Sequence, residues 1–167
     1  MSSEHTPDGA MLHMLCGKIA AGKSTLAAKL GRAPGTVTLS EDAWLAGLFA
    51  DEMTSVADYV RCAGRLRGVI GPHVADLLAA GVSVVLDFPA NTVETRAWMR
   101  GILDRTGAAH RLHLLEAPDE VCLARLRARN AGGAHPFAVT EAQFHRVTAH
   151  FEPPRPEEGF VIECHGA

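Results

Sequence analysis

Short apolar blocks recur along this chain, and most are followed by a longer segment with helical spacing. Residues 11–16 are an apolar run that stops at Gly17, which reads as a buried strand. Residues 17–22 read as a loop, and residues 23–30, rich in Ala, Leu and Lys, as a helix. Gly31, Pro34 and Gly35 break the chain before a second short strand at 37–39. Residues 41–50 have helical character. Residues 56–80 predict a long helix, with apolar positions Val56, Val60, Val69, Val74, Leu77 and Leu78 and a break or kink at Gly71-Pro72. Residues 82–86 are the cleanest strand. Their almost unbroken run of apolar and β-branched residues suits a central parallel strand ended by Asp87. A helix over 91–105 ending near Gly107, a strand over 110–115 and a helix over 119–129 follow. Residues 131–136 read as loop and 140–150 as helix. Pro153, Pro154 and Pro156 argue against regular structure, and 160–163 form a last strand.

This alternation of strands and helices predicts a parallel sheet covered on both faces, a three-layer αβα arrangement with five strands. No repeat, low-complexity tract or linker divides it. Residues 1–10 are expected to be a flexible polar start and residues 11–167 a single domain.

Composition narrows the function classes. The net charge of −3 and a pI near 6.3 argue against a general nucleic-acid binder, which carries a basic excess. No run approaches the ~20 apolar residues of a membrane span, and the polar start lacks the features of a signal peptide. Cys16, Cys62, Cys122 and Cys164 form no CxxC pair, so reduced thiols in a cytosolic protein are expected, most of them as small buried side chains. The histidines show no metal-ligand spacing along the chain. His110 and His113 bracket a strand, and His145 and His150 do not share a helix face, so no zinc site is expected. Lys18, Lys23 and Lys29 are the only lysines among 16 basic residues. They cluster in one short region.

That region is the strongest chemical signal. Gly17-Lys18-Ile19-Ala20-Ala21-Gly22-Lys23-Ser24 matches G-x-x-x-x-G-K-[ST] at every fixed position, with Thr25 following. Glycines let the backbone wrap its N–H groups around phosphate oxygens. The N-terminus of the next helix adds partial positive charge. Lys23 would meet the β- and γ-phosphates, and Ser24 would offer its hydroxyl to Mg²⁺. A nucleoside triphosphate, ATP with Mg²⁺, is the expected ligand. Gly17, Lys18, Ala20, Ala21, Gly22, Lys23, Ser24 and Thr25 would bind it.

Two acids follow strands, where ligands of open α/β sheets bind. Asp87 ends the third strand and is a candidate metal-holding acid beside Ser24. Asp42 follows the second strand and is a candidate to orient an acceptor's proton. An N-cap role for Asp42 is the alternative, and Glu41 competes for the same task.

The strand, phosphate loop and helix, then Asp42, then Val84-Val85-Leu86-Asp87 with Asn91 and Arg96 beyond, resemble small P-loop kinases. These include nucleoside-monophosphate-kinase-like, chloramphenicol-phosphotransferase-like, zeta-toxin-like and polynucleotide-kinase-like proteins. The resemblance implies a P-loop NTPase fold of the nucleotide-kinase type with a short lid. It also implies that Asp42 is the general base, that Asp87, Asn91 and Arg96 carry the site beyond the third strand, and that lid arginines close over ATP. Arg125 and Arg129 lie at i,i+4 before the loop at 131–136 and fit the lid. The resemblance places the phosphate acceptor between residues 51 and 67, where Tyr59, Arg61, Arg65 and Arg67 are candidates. Trp44 and Phe49 could line its pocket or belong to the core.

The expected activity is transfer of the γ-phosphate of Mg-ATP to a hydroxyl or phosphate of a small molecule. A regulatory ATPase is the rival, although 167 residues leave no room for the helical domain of motor proteins. A toxin-like or nucleic-acid-end kinase is a third reading, and the net charge disfavours the latter.

Overall fold

The computed structural model describes residues 9–133 and 139–166. Five strands form one parallel sheet: β1 (Met11–Cys16), β2 (Thr36–Ser40), β3 (Ser83–Pro89), β4 (Ala109–Leu115) and β5 (Ile162–His165). Their order across the sheet is β2-β3-β1-β4-β5, so the strand that enters the phosphate loop is central. The helices are α1 (Lys23–Leu30), α2 (Glu41–Phe49), α3 (Val56–Ala79), α4 (Val93–Thr106), α5 (Asp119–Gly132) and α6 (Glu141–Thr148).

The strands alternate their side chains between two apolar layers. Leu12, Met14, Leu86, Phe88 and Leu112 join Leu45, Leu66, Ile70, Val74, Leu78 and Met99 in one core beneath α2, α3 and α4. On the opposite face Leu15 and Val85 pack on Ala27 of α1, and Cys122, Leu126 and Phe144 form a second cluster from α5 and α6. The expected three-layer αβα arrangement is present.

Several elements differ from the sequence expectation. Helix α3 runs unbroken through Gly71 and Pro72. Its buried stripe is Cys62, Ala63, Leu66, Ile70, Val74 and Leu78, while Val56, Val60 and Val69 face solvent. Packing of that stripe outweighs the local cost of the proline, whose ring is exposed. A Cβ on Gly71 would lie 3.0 Å from the Trp98 indole nitrogen, so α4 packs closely on the helix there. Strand β3 continues past Asp87 to Pro89 because Phe88 is fully buried. Helix α5 continues to Gly132, so Ala131 and Gly132 are helical rather than loop. Residues 134–136 of the expected lid loop lie outside the described residues, as do residues 1–8, 137, 138 and 167. Around the prolines, Pro156–Glu158 makes one short 3₁₀ turn, with Pro156 at its first position where no N–H is needed. Strand β5 sits two residues later than expected, at Ile162–His165.

Candidate functional site

The phosphate loop is shaped by close approach and by left-handed backbone. A Cβ on Gly17 would lie 3.1 Å from the Leu115 carbonyl oxygen and 3.3 Å from the Ala21 Cβ, so a side chain there would crowd the β4 backbone. Ala20 and Gly22 have φ of 62° and 106°, which curls the loop and sets Gly22 as the cap of α1. For Ala20 that conformation costs roughly 1–2 kcal/mol, strain of the kind held at ligand-binding turns. Such curvature turns successive N–H groups toward one anion.

Lys23 reaches back over this loop. Its Nζ donates to the carbonyls of Gly17 at 2.5 Å and Lys18 at 2.7 Å. Burial lowers its ammonium to about 8, while the charges of Asp87 and Asp42 act in the opposite direction. Both expected acids therefore act electrostatically on the expected phosphate-binding lysine. Burial also pushes the neighbouring Cys16 thiol up to about 11, which leaves it an inert core thiol. Cys62 and Cys122 are buried too, whereas Cys164 is exposed.

Ser24 and Thr25 are exposed in the first turn of α1. Asp87 pairs in register with Ser40, the last residue of β2. A serine hydroxyl with a carboxylate is an all-oxygen donor set, which fits Mg²⁺ and gives a softer ion no preferred ligand. Asp42 is not the cap of α2. Ser40 takes that position, and its Oγ accepts from the Ala43 N–H at 3.3 Å.

Glu41 has a different environment from Asp42. It is 1% exposed; the Tyr59 hydroxyl donates to its Oε1 at 2.5 Å, and Arg67 Nη2 lies 3.6 Å from its Oε2. Burial raises the Glu41 pKa, and raises that of Tyr59 strongly. Oε2 is a buried atom with no hydrogen-bond partner among the described residues. Arg67 lies over the Trp98 ring, 5.8 Å from its centroid.

The expected acceptor residues do not form one group. Tyr59 is bound to Glu41, Arg61 pairs with Asp58 at 3.3 Å, and Arg65 is exposed. Phe49 packs against the main core and Trp44 is 37% exposed.

Asn91, expected to carry part of the site beyond the third strand, lies against the phosphate loop. Its Oδ1 accepts from the Gly17 N–H at 2.9 Å, and its Nδ2 donates to the Gly17 carbonyl at 2.8 Å. The amide is thus committed to the phosphate loop itself. Arg96 is fully buried and structural: its Nε donates to Glu158 at 2.9 Å and its Nη1 to the Ala90 carbonyl at 2.9 Å.

Helix α5 docks on the loop. Lys18 pairs with Asp119 at 2.6 Å, and Arg125 Nη1 donates to the Ala21 carbonyl at 3.1 Å. Arg129 is half-buried, and its Nε has no hydrogen-bond partner among the described residues. Arg127 pairs with Glu141 across to α6. The contacts of Lys18 and Asn91 join residues 101 and 74 positions apart, so no local sequence signal could have shown them.

The fold recurs in solved structures. A Chloroflexus aurantiacus protein described provisionally as a kinase superposes with a TM-score of 0.75 at 21% identity, over 94% of this chain and 85% of that one. The Mycobacterium tuberculosis APS kinase CysC, in complex with AMPPNP and APS, gives 0.59 at 24% identity, over 93% and 88%. Chaetomium thermophilum Kti12, in complex with ADP-AlF3, gives 0.67 at 13% identity, over 92% and 88%. No curated protein sequence matches the chain. A family model described as an AAA domain matches residues 12–154, most of the chain. With its complete phosphate loop at the end of a central parallel strand, the chain belongs to this AAA-domain family, AAA_33, and has the fold of the small P-loop kinases.

Proposed function

We propose that this protein is an ATP-dependent phosphotransferase that moves the γ-phosphate of Mg-ATP to a hydroxyl or phosphate of a small molecule. The observation that carries the reading is a curled phosphate loop whose Lys23 reaches back over it and feels the charges of two strand-end acids, Asp87 and Asp42. In this reading Lys23 and the loop N–H groups hold the phosphates, and Ser24 and Asp87 hold Mg²⁺, which would neutralise phosphate charge. Asp42 orients the acceptor and takes its proton. Such a transfer depends on positioning more than on a strong base.

Arg125 already touches the loop at Ala21 and is the lid arginine best placed to reach a phosphate. Arg129 would follow from the same helix. Exposed Arg61 and Arg65 remain candidates for contact with the acceptor, while Tyr59 would act through Glu41. The APS kinase neighbour, bound to AMPPNP and APS, supports nucleotide use with a small acceptor. Three buried free cysteines suit a reducing cytoplasmic setting.

The test is phosphorus NMR of Mg-ATP incubated with the protein and pooled metabolites. A new phosphoester that appears only with the pool, and is lost in Asp42→Asn with nucleotide affinity retained, supports the reading. A kinase excludes water and stays nearly silent without acceptor. Rapid ATP hydrolysis without acceptor overturns it and favours a nucleotide-driven regulator.

A further inference from the structure

His113 stands in β4, 3% exposed, with an imidazole on either side. Its Nε2 lies 3.0 Å from Nδ1 of His13 on β1, and its Nδ1 lies 2.9 Å from Nε2 of His165 on β5. Glu163 pairs in register with His113 and brings Oε2 to 3.7 Å of the same Nδ1. One donor atom each from His113, Glu163 and His165 fall within 4.8 Å of one another.

We propose that His113, Glu163 and His165 bind one divalent transition-metal ion, Zn²⁺ foremost, at the β4–β5 edge of the sheet. Two imidazoles and a carboxylate are a borderline donor set suited to zinc rather than magnesium. Zn–N bonds of about 2.0–2.1 Å put two tetrahedral ligands about 3.3 Å apart. The separations of 2.9 and 3.7 Å bracket that value, and the third, between Glu163 and His165, lies within 4.8 Å.

His13 supplies the supporting contact. If His113 donates its Nε2–H to His13 Nδ1, its own Nδ1 is left unprotonated and ready to ligate. That tautomer also leaves the Glu163 carboxylate facing a lone pair, an opposition that a cation relieves. Arg111 lies 3.8 Å from the same Oε2 and would give up that weak contact. Glu163 is 51% exposed on the edge strand, so an ion has access and water can fill the remaining position. The ion would cross-link the four-residue β5 to β4.

A rival arrangement needs no metal: His165 donates its Nε2–H to His113 in a hydrogen-bonded run of neutral rings. The experiment separates the two. Untagged, nucleotide-free protein is titrated with Zn²⁺ against a competing chelator, alongside E163Q, H165Q and H13Q, with folding of each checked by circular dichroism. One saturable site per chain is expected, undisturbed by excess Mg²⁺, with two imidazole ligands by X-ray absorption. H165Q and E163Q should weaken it about 100-fold or more, and H13Q about 10- to 100-fold. Absence of a saturable site, or undiminished binding in both E163Q and H165Q, overturns the proposal.

Discussion

Asn91 clamps Gly17 on both sides of that residue, accepting from its N–H at 2.9 Å and donating to its carbonyl at 2.8 Å. A side-chain amide from beyond β3 thereby occupies the hydrogen-bonding positions that a neighbouring strand would fill, just as β1 opens into the phosphate loop.

Asn91→Ala should leave the Gly17 N–H without a partner and its carbonyl with the Lys23 ammonium alone. The expected loss of stability is about 1–3 kcal/mol, read from urea denaturation. Loosening the loop should also weaken binding of a non-hydrolysable ATP analogue by about tenfold, or ~1.4 kcal/mol. Unchanged affinity would show that the loop holds its shape without the clamp.

Lys23 should make nucleotide binding depend on pH. Burial holds its ammonium at about 8, below the ordinary 10.5. Between those values the unfolded chain binds the proton and the folded chain does not, so this group's contribution to stability rises with pH across that window. A bound polyphosphate favours the ammonium and lifts its pKa again. Above pH 8 binding must therefore take up a proton, and affinity should fall by up to about tenfold per pH unit. Calorimetry of the ATP analogue in buffers of different ionisation enthalpy checks both proton uptake and slope. In Lys23→Ala the slope should vanish and productive ATP use should stop.

How legible all this was in the sequence depends on distance along the chain. Helix α1 begins and ends where expected because Gly22 and Gly31 flank it closely. The phosphate loop was legible for the same reason: its chemistry is local. Helix α3 has nearly the expected extent without the expected break, and its apolar positions alone do not mark its buried face. Its inward stripe uses Cys62 and Ala63, which carry little hydrophobic signal, while the conspicuous valines at 56, 60 and 69 are 74%, 63% and 66% exposed. The partners of Asn91, Glu41 and Lys18 come from other elements, and only the fold brings them together. The same holds for the histidines. Their spacing suggested no metal, yet His13, His113 and His165 meet because β1, β4 and β5 are adjacent.

Glu41 and Asp42 are adjacent acids that should respond oppositely to substitution. Glu41→Ala leaves Arg67 without its buried counter-charge and the Tyr59 hydroxyl without its acceptor. Breaking such a pair typically costs about 3–5 kcal/mol. Asp42→Asn, on the partly exposed first turn of α2, should change stability by less than about 1 kcal/mol. Thermal denaturation of the two variants gives the comparison. If Asp42→Asn unfolds the protein and Glu41→Ala does not, the structural and catalytic roles must be exchanged.

Arg96 anchors the turn that delivers Asn91. Its guanidinium is fully buried, and it bonds the Ala90 carbonyl at 2.9 Å, the Pro153 carbonyl at 3.3 Å and both Glu158 oxygens at 2.9 and 3.2 Å. The preceding Ala90 N–H is tied in turn to the Leu15 carbonyl of β1 at 2.9 Å. A charge this deep is tolerable because Glu158 pairs with it and each of its nitrogens has an acceptor. Glu158→Gln removes the counter-charge and should destabilise by about 3–5 kcal/mol. Arg96→Met removes the cation and fills part of the volume, so it should cost less than Glu158→Gln. The double variant should be more stable than the sum of the single losses predicts, a coupling that denaturant titration of all four proteins measures. Strict additivity would mean that Arg96 is held by the Ala90 and Pro153 carbonyls, with Glu158 contributing little. In either case ATP-analogue affinity should follow stability through Asn91, because Arg96 is fully buried and each of its nitrogens already donates within the fold.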